Sequence, residues 1–563
     1  MNEATKAPKI SFYDYIVVGG GAAGIPLATT LSENYSVLLL ERGGSPYDNP
    51  DVTHASNFGN YFFDSSPTSP AELFMSEDGV GNARPRVLGG GTSINAGLYT
   101  RDCDKFHKEA KLTDEKLVNA SYEFVENVMV FEPDVGEWQS AWKDALVDAG
   151  LTPDNGFTYD YLPGTKVAGI TFDKQGQRHT AADLMKYANP LGLSVYLYAT
   201  VSKILFTTKG RTTPRAYAVV FEDAYGNKHR AYLKGDQNDE IILSAGPLGS
   251  PQLLMLSGIG PQDQLDALQI KVVLNQPLVG QGMADNPLNL IFVPSPIPVK
   301  QSTVQVVGTL VGSQIEPISA INVVLGSPSD YQGFSYEVND ILRPLQNGGF
   351  ILLKIDDPIS SGELKLRSSN PIDCPSVKFN YFSEPEDVKK CVDGMSTVLK
   401  ATESKALSKF KYPNMTAQDI LDLTVKLPMN LPVHANTSSS LEQFCKDTVR
   451  TVWQFHGGCQ IGKVVDDDYK VIGVDALRVI DGSTLINAPA NLIMLGRYMG
   501  VTIQAGRLAS PQNQLDALHI KVVLNQLLVG QGMADNLLNL IFVPSLVPVK
   551  QSTVQVVGTL VGS

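Results

Sequence analysis

The chain has 563 residues, 43% of them apolar and 18% charged, with a formal net charge of −13. That is enough apolar surface for a large core spread over two or more domains, and an acidic balance with no Lys/Arg run interleaved with aromatics excludes nucleic acid as a partner. No segment approaches the roughly eighteen uninterrupted apolar residues of a membrane span, so no membrane association is expected, and no apolar signal segment precedes the first strand, which taken literally gives a cytosolic chain.

The first element is the run Tyr13 to Gly24, DYIVVGGGAAG after its leading tyrosine: a short apolar strand entering G-x-G-x-x-G and then a helix reaching about Ser32. A second strand, SVLLL, ends at Glu41, twenty-two residues after Gly19. Gly19 permits the tight turn, Gly21 lets backbone approach a pyrophosphate, Gly24 allows close helix–strand packing, and Glu41 is placed to accept hydrogen bonds from ribose hydroxyls. Dinucleotide binding follows from this β-α-β-Glu context. A second glycine-rich stretch, RVLGGGTSINAG from Arg86 to Gly97, offers backbone donors too far along to belong to the first βα turn. A ligand with two distant anchoring points fits the pair.

Residues 112–150 read as mostly helical. Residues 194–206 and 216–233, the latter with a Tyr225-Gly226-Asn227 turn, read as antiparallel strands of a substrate domain. The strand EIILSA from Glu240 leads into GPLGSPQLLMLSGIG, a helix with Gly/Pro punctuation. Five cysteines without C-x-x-C spacing predict no metal site and at most one disulfide, and sequons stand at Asn34, Asn119, Asn414 and Asn436. Residues 261–313 return as 511–563 with six differences, three of them Pro to Leu. A single copied segment is no solenoid, which needs at least three stacked units, so the tail reads as a passenger.

The two glycine stretches and GPLGSPQLLMLSGIG together resemble the glucose–methanol–choline (GMC) family of FAD-dependent oxidoreductases, from about residue 10 to 507. FHGGCQIGKVVDDDYKVIGVDALRVIDGST and LIMLGRYMG resemble its plant branch of (R)-mandelonitrile lyases and HOTHEAD-like proteins. The resemblance implies an α/β fold, an FAD-binding Rossmann-like domain with an antiparallel-sheet plus helix substrate domain. It divides the chain into FAD-binding parts at 10–110, 176–290 and 441–507, helices and lid at 111–175, substrate domain at 291–440, and the copied tail at 508–563. The 290–440 region is expected to supply the sheet over the reactive face of the flavin. The resemblance also implies FAD as cofactor, with Gly19, Gly21, Gly24 and Glu41 at its ADP half, Gly90, Thr92 and Asn95 near pyrophosphate and isoalloxazine, and the Val201 backbone at adenine. A monomer acting on a small molecule, an aromatic cyanohydrin or an alcohol, is expected, and the plant relatives imply the secretory pathway.

Late in the chain stands WQFHGGC. The family's catalytic histidine lies three residues before the first glycine, and here that position is Gln454; His456 matches the second histidine of the plant pattern Trp-His-x-His. A glutamine amide donates and accepts hydrogen bonds but cannot carry a proton away. His456 is therefore the nearest candidate for a displaced base, against the plainer reading of a buried structural histidine. The family's His/Asn-Pro-Gln loop before MLGRYMG is shortened, and Asn491 is its candidate remnant. Such shortening is expected to pull the last helix or strip the lid over the flavin. Cyanohydrin cleavage leads as the expected activity, with HOTHEAD-like alcohol oxidation and a degenerate, non-catalytic FAD protein as alternatives.

Overall fold

The computed structural model describes residues 1–64, 66–319, 347–425, 440–488 and 492–508. Met1–Arg507 forms one compact unit; the other unit is Leu508–Ser563, whose copied segment lies outside the described residues.

The first glycine fingerprint sits in a six-stranded parallel sheet in the order Asn2–Glu3, Leu193–Leu197, Val37–Leu40, Tyr15–Val18, Glu240–Leu243, Leu477–Val479. The central strands YIVV and VLLL are buried along their whole length. That is why they read as continuous apolar runs: a parallel sheet covered on both faces has no solvent side on which to alternate. Helix Gly24–Leu31 covers the sheet, and helix Leu492–Leu508 docks on it so closely that a Cβ at Gly496 would stand 2.2 Å from the Ala23 carbonyl oxygen. Arg497 donates to Thr30 Oγ1 at 2.8 Å across the same contact. The short connection before this helix has not pulled it off its neighbour.

One strand departs from the sequence reading. Residues 193–197 pair parallel with Val37–Leu40 in the six-stranded sheet, and the antiparallel meander begins only at Thr200–Thr207, continuing through Arg215–Glu222 and Lys228–Leu233. Alternating residues at a sheet margin satisfy both kinds of pairing, so period alone could not separate them. The predicted turn at Tyr225-Gly226-Asn227 forms; Asp223 Oδ1 accepts from the amides of Tyr225 and Asn227, both at 2.9 Å, and Gly226 takes φ +77°. The helical stretch resolves into Glu115–Met129 and Glu137–Asp148.

A seven-stranded sheet runs Arg450–Thr451, Pro287–Pro294, Gly348–Ile355, Ser313–Ile318, Val306–Leu310, Gly164–Val167, Asp154–Phe157. Its two faces are distinct. Ile291, Val293, Ile315, Ile351 and Leu353 pack against Trp142 and Leu146 of one helix and Met395 and Val398 of helix Pro385–Thr402. The opposite face, carrying Leu288, Leu290, Gln314, Glu316, Ile318, Leu352 and Lys354, borders a cavity. Cys391 and Cys445 form a disulfide joining helix Pro385–Thr402 to helix Leu441–Asp447.

Candidate functional site

A cavity of 840 Å³ opens where the parallel strands end, between Val18, Leu40 and Ser244 on one side and the seven-stranded sheet on the other. Carboxyl ends of parallel strands are the ordinary place for a ligand in such a sheet, and the volume lies within the range for cofactor and small-molecule sites.

The glycines divide by function. A Cβ at Gly24 would lie 2.0 Å from the Gly19 carbonyl oxygen, and one at Gly19, whose φ is +106°, would lie 2.2 Å from the Ser244 carbonyl oxygen. These two are required by the fold. Gly21 differs: a Cβ there would meet nothing nearer than the Gly90 Cα at 3.8 Å, yet its backbone lines the cavity. Among the described residues nothing fills that place, and the turn has room for a ligand lying on it. Gly90 closes the cradle from the other side, with φ +57° and room for no side chain against Gly21. A diphosphate fits such a cradle of backbone amides next to the N-terminus of helix Gly24–Leu31.

Glu41 stands on the cavity wall with both oxygens anchored, Oε2 by the Gly20 amide at 2.8 Å and Oε1 by the Gly43 amide at 2.7 Å. Burial pushes its carboxyl up, and these amides oppose the shift. Thr92 and Asn95 also line the cavity, held from behind: Thr92 Oγ1 donates to the Gly89 carbonyl at 2.7 Å, and Asn95 Oδ1 accepts from Arg178 and the Gly97 amide, each at 3.0 Å. Val201 borders the cavity at a register shift in its strand.

Gln454 faces the cavity in a segment fixed by aromatics. Trp453, at φ +59°, stacks on Phe62 with ring centroids 4.5 Å apart, and Phe455 stacks on Phe379 at 5.3 Å. A tryptophan in the left-handed region is costly and persists only where its surroundings hold it. The next turn is locked by glycine: Gly457 takes φ +84° and a Cβ would come within 1.9 Å of the Gly282 carbonyl oxygen. His456 points elsewhere. It is fully buried, it does not border the cavity, and its backbone pairs with Ala284. Its Nδ1 donates to the Gln454 carbonyl at 3.0 Å, which leaves Nε2 the lone-pair nitrogen of a neutral ring. Burial holds its pKa down to about 4. No histidine lines the cavity among the described residues. Asn491 lies outside the described residues.

The structure therefore brings Gly19, Gly21, Glu41, Gly90, Thr92, Asn95, Val201 and Gln454 to one cavity, sets Gly24 behind the cradle, and leaves His456 out. Sequence reasoning missed Asp481. Its buried carboxylate accepts from Ser250 Oγ at 2.5 Å and the Gly246 amide at 2.9 Å, tying the N-terminus of helix Gly246–Leu256 to the cavity floor. An Asp-x-Ser pair just before a turn was the available signal. It also missed Glu316, Lys354 and Arg450, charged side chains directed inward from the seven-stranded sheet.

Two family models described as GMC oxidoreductase match residues 13–288 and 358–500. The chain is 46% identical to Protein HOTHEAD of Arabidopsis thaliana, with 89% of each chain covered. It is 41% identical to (R)-mandelonitrile lyase 3 of Prunus serotina, covering 90% of this chain and 88% of that one. It is 42% identical to Sinalpyl alcohol oxidase Nec3 of Nesocodon mauritianus, covering 91% and 92%. Among solved structures it is similar to formate oxidase, with TM-score 0.71 at 19% identity over 89% of this chain and 99% of the other. Pyridoxine 4-oxidase from Mesorbium loti gives TM-score 0.71 at 20% identity over 88% and 99%.

Proposed function

The chain belongs to the GMC oxidoreductase family, whose cofactor is FAD, and from that premise we propose that it presents a hydroxyl-bearing carbon at Gln454 and cleaves an aromatic cyanohydrin to aldehyde and hydrogen cyanide. The observation that carries the reading is the single cavity running from the glycine cradle to Gln454. In it, Gly19, Gly21 and Gly90 would hold the diphosphate, Glu41 the ribose hydroxyls, Thr92 and Asn95 the pyrophosphate-to-ring region and the Val201 backbone the adenine. Bound FAD supplies a hydride acceptor for alcohol oxidation, or a fixed polarising ring where no electrons move.

In the lyase reaction the hydroxyl proton leaves, the C–CN bond breaks with its electron pair going to cyanide, and the proton ends on cyanide. Gln454 can orient the hydroxyl, accepting from it through Oε1 and donating through Nε2, but its amide cannot carry the proton. General acid–base assistance is worth about 10² to 10⁴ in rate, so the wild-type protein turns over slowly. Alcohol oxidation is the second reading, favoured by 42% identity to a relative named as an alcohol oxidase. The Cys391–Cys445 disulfide supports an oxidising, secretory destination.

Gln454→His tests both readings. FAD-loaded variant and wild type are assayed for benzaldehyde release from mandelonitrile and for anaerobic flavin bleaching by benzyl alcohol. A gain of about 10² to 10⁴ on mandelonitrile without bleaching supports the lyase; a gain in bleaching alone transfers the assignment to the oxidase. An FAD-replete Gln454→His protein inert on both removes both.

A further inference from the structure

Three rows of side chains cross the cavity face of the seven-stranded sheet. In the row nearest Gln454, strand register aligns Arg450 with Leu288, Leu288 with Lys354 and Lys354 with Gln314. The next row aligns Leu290, Leu352 and Glu316, and the third aligns Phe292, Phe350 and Ile318. Leu288, Leu290 and Leu352 make an apolar floor; polar groups gather at its far side. With strands about 4.8 Å apart, Lys354 lies about 10 Å and Gln314 about 14 Å across the sheet from Arg450, four residues before Gln454.

The far group is buried and incompletely satisfied. Gln314, Glu316 and Lys354 are 3%, 5% and 7% exposed. Lys354 Nζ sits 3.3 Å from Asp356 and 3.8 Å from Glu316, so the cation already has two carboxylates and no surplus charge for an anion. The Tyr161 hydroxyl donates to Asp356 at 3.0 Å, while Gln314 Oε1 has no hydrogen-bond partner among the described residues. A buried acceptor left unpaired costs free energy that one donor would recover.

We propose that Gln314, Glu316 and Lys354 form a distal subsite for a neutral hydroxyl, so that the substrate is an apolar body with one hydroxyl on its reacting carbon and a second hydroxyl at its far end, two strand spacings (about 10 Å) across the sheet from the Arg450 strand. The distal O–H donates to Gln314 Oε1, and its oxygen accepts from Lys354. The inference rests on the reading of Gln454 as the reacting end.

Oxidised, FAD-loaded protein is titrated by calorimetry with the product-like aldehydes cinnamaldehyde, 4-hydroxycinnamaldehyde and 4-formylcinnamic acid, under anaerobic conditions with the flavin spectrum followed to show that it stays oxidised. The 4-hydroxy compound should bind about tenfold more tightly than cinnamaldehyde, the value of one hydrogen bond to a buried group. Gln314→Leu and Lys354→Met should bring that ratio towards one with cinnamaldehyde affinity unchanged, while Glu316→Gln keeps most of it. Equal affinities in the wild type, tightest binding of the carboxylate, or a ratio that survives Gln314→Leu would each overturn the proposal. The wild-type ligand series decides the matter alone if a core variant does not fold. Hydroxyl preference without turnover of any cyanohydrin or alcohol removes the reaction assigned to Gln454 and leaves the subsite; turnover without preference removes the subsite alone.

Discussion

Behind Gln454 two buried groups titrate against each other. Asp285 follows Ala284, whose backbone pairs with His456, and its carboxylate accepts from Tyr381 at 2.6 Å. Burial pushes Asp285 up to about 7, against hydrogen bonds from Thr451 and Tyr381, and holds His456 down to about 4. The unfolded values are about 3.9 and 6.5. From pH 4 upward the folded Asp285 keeps a proton that the unfolded chain has lost, so its contribution is full below about 4 and is lost as pH rises towards 7. His456 acts the other way: the unfolded chain binds a proton that the fold refuses, so stability rises with pH until about 6.5. Each slope approaches about 1.4 kcal/mol per pH unit, and in the native protein they offset one another. Asp285→Asn should therefore gain stability relative to wild type as pH rises from 4.5 to 6.5, and His456→Asn should lose it, in urea unfolding of the FAD-loaded chains. Parallel curves for all three proteins would show that neither group is buried as described. Counting back from Gly457 was enough to separate Gln454 from His456 in the sequence, because the question was one of position. The Asp285 partnership was not legible there, since burial raises its pKa and the hydrogen bond that opposes the rise joins residues ninety-six positions apart.

At the first βα turn, adjacent glycines of one motif make different demands. Gly24→Ala places a methyl 2.0 Å from the backbone oxygen of Gly19, so the helix must shift off the sheet. The expected result is a protein of lowered Tm, with flavin lost as a consequence. Gly21→Ala has no neighbour inside 3.8 Å among the described residues, so Tm of the flavin-free protein should hold while FAD affinity falls. Thermal unfolding with and without FAD, together with flavin absorbance after gel filtration, separates the two; equal loss of Tm would refute the division. The continuous runs YIVV and VLLL and the glycine spacing made this element readable in advance. The inward charges of the seven-stranded sheet were not. In SQIEPI and GGFILLKI, Gln314, Glu316 and Lys354 carry the alternation of an ordinary solvent-facing side, and both faces of those strands are in fact covered. A polar residue facing water and one facing a cavity look the same in sequence.

Across the whole molecule, the disulfide and the C-terminal helix fix where the folded unit closes. Cys391 and Cys445 are 54 residues apart, and a loop of that length restrains the unfolded chain by about 4 kcal/mol on the chain-entropy account. Mild reduction should lower Tm by several degrees. At the other end, Arg507 anchors the last helix: Nη2 lies 3.1 Å from the buried Asp239 and 3.7 Å from Asp14, and the guanidinium covers the Tyr35 ring at 4.5 Å. Removing one member of a buried charge cluster typically costs about 3–5 kcal/mol, because the remaining carboxylates lose their cation. The parent segment's strands, Pro287–Pro294 and Val306–Leu310, are each paired on both sides within Met1–Arg507. The cut point therefore matters more than the number of residues removed. A chain ending at Leu508 should keep the full-length Tm within about a degree and the full FAD content, whereas one ending at Gly506, two residues shorter, should unfold several degrees lower. Loss of flavin from the chain ending at Leu508 would show that the copied tail is part of the working protein; equal Tm for the two truncations would show that Arg507 does not hold the helix.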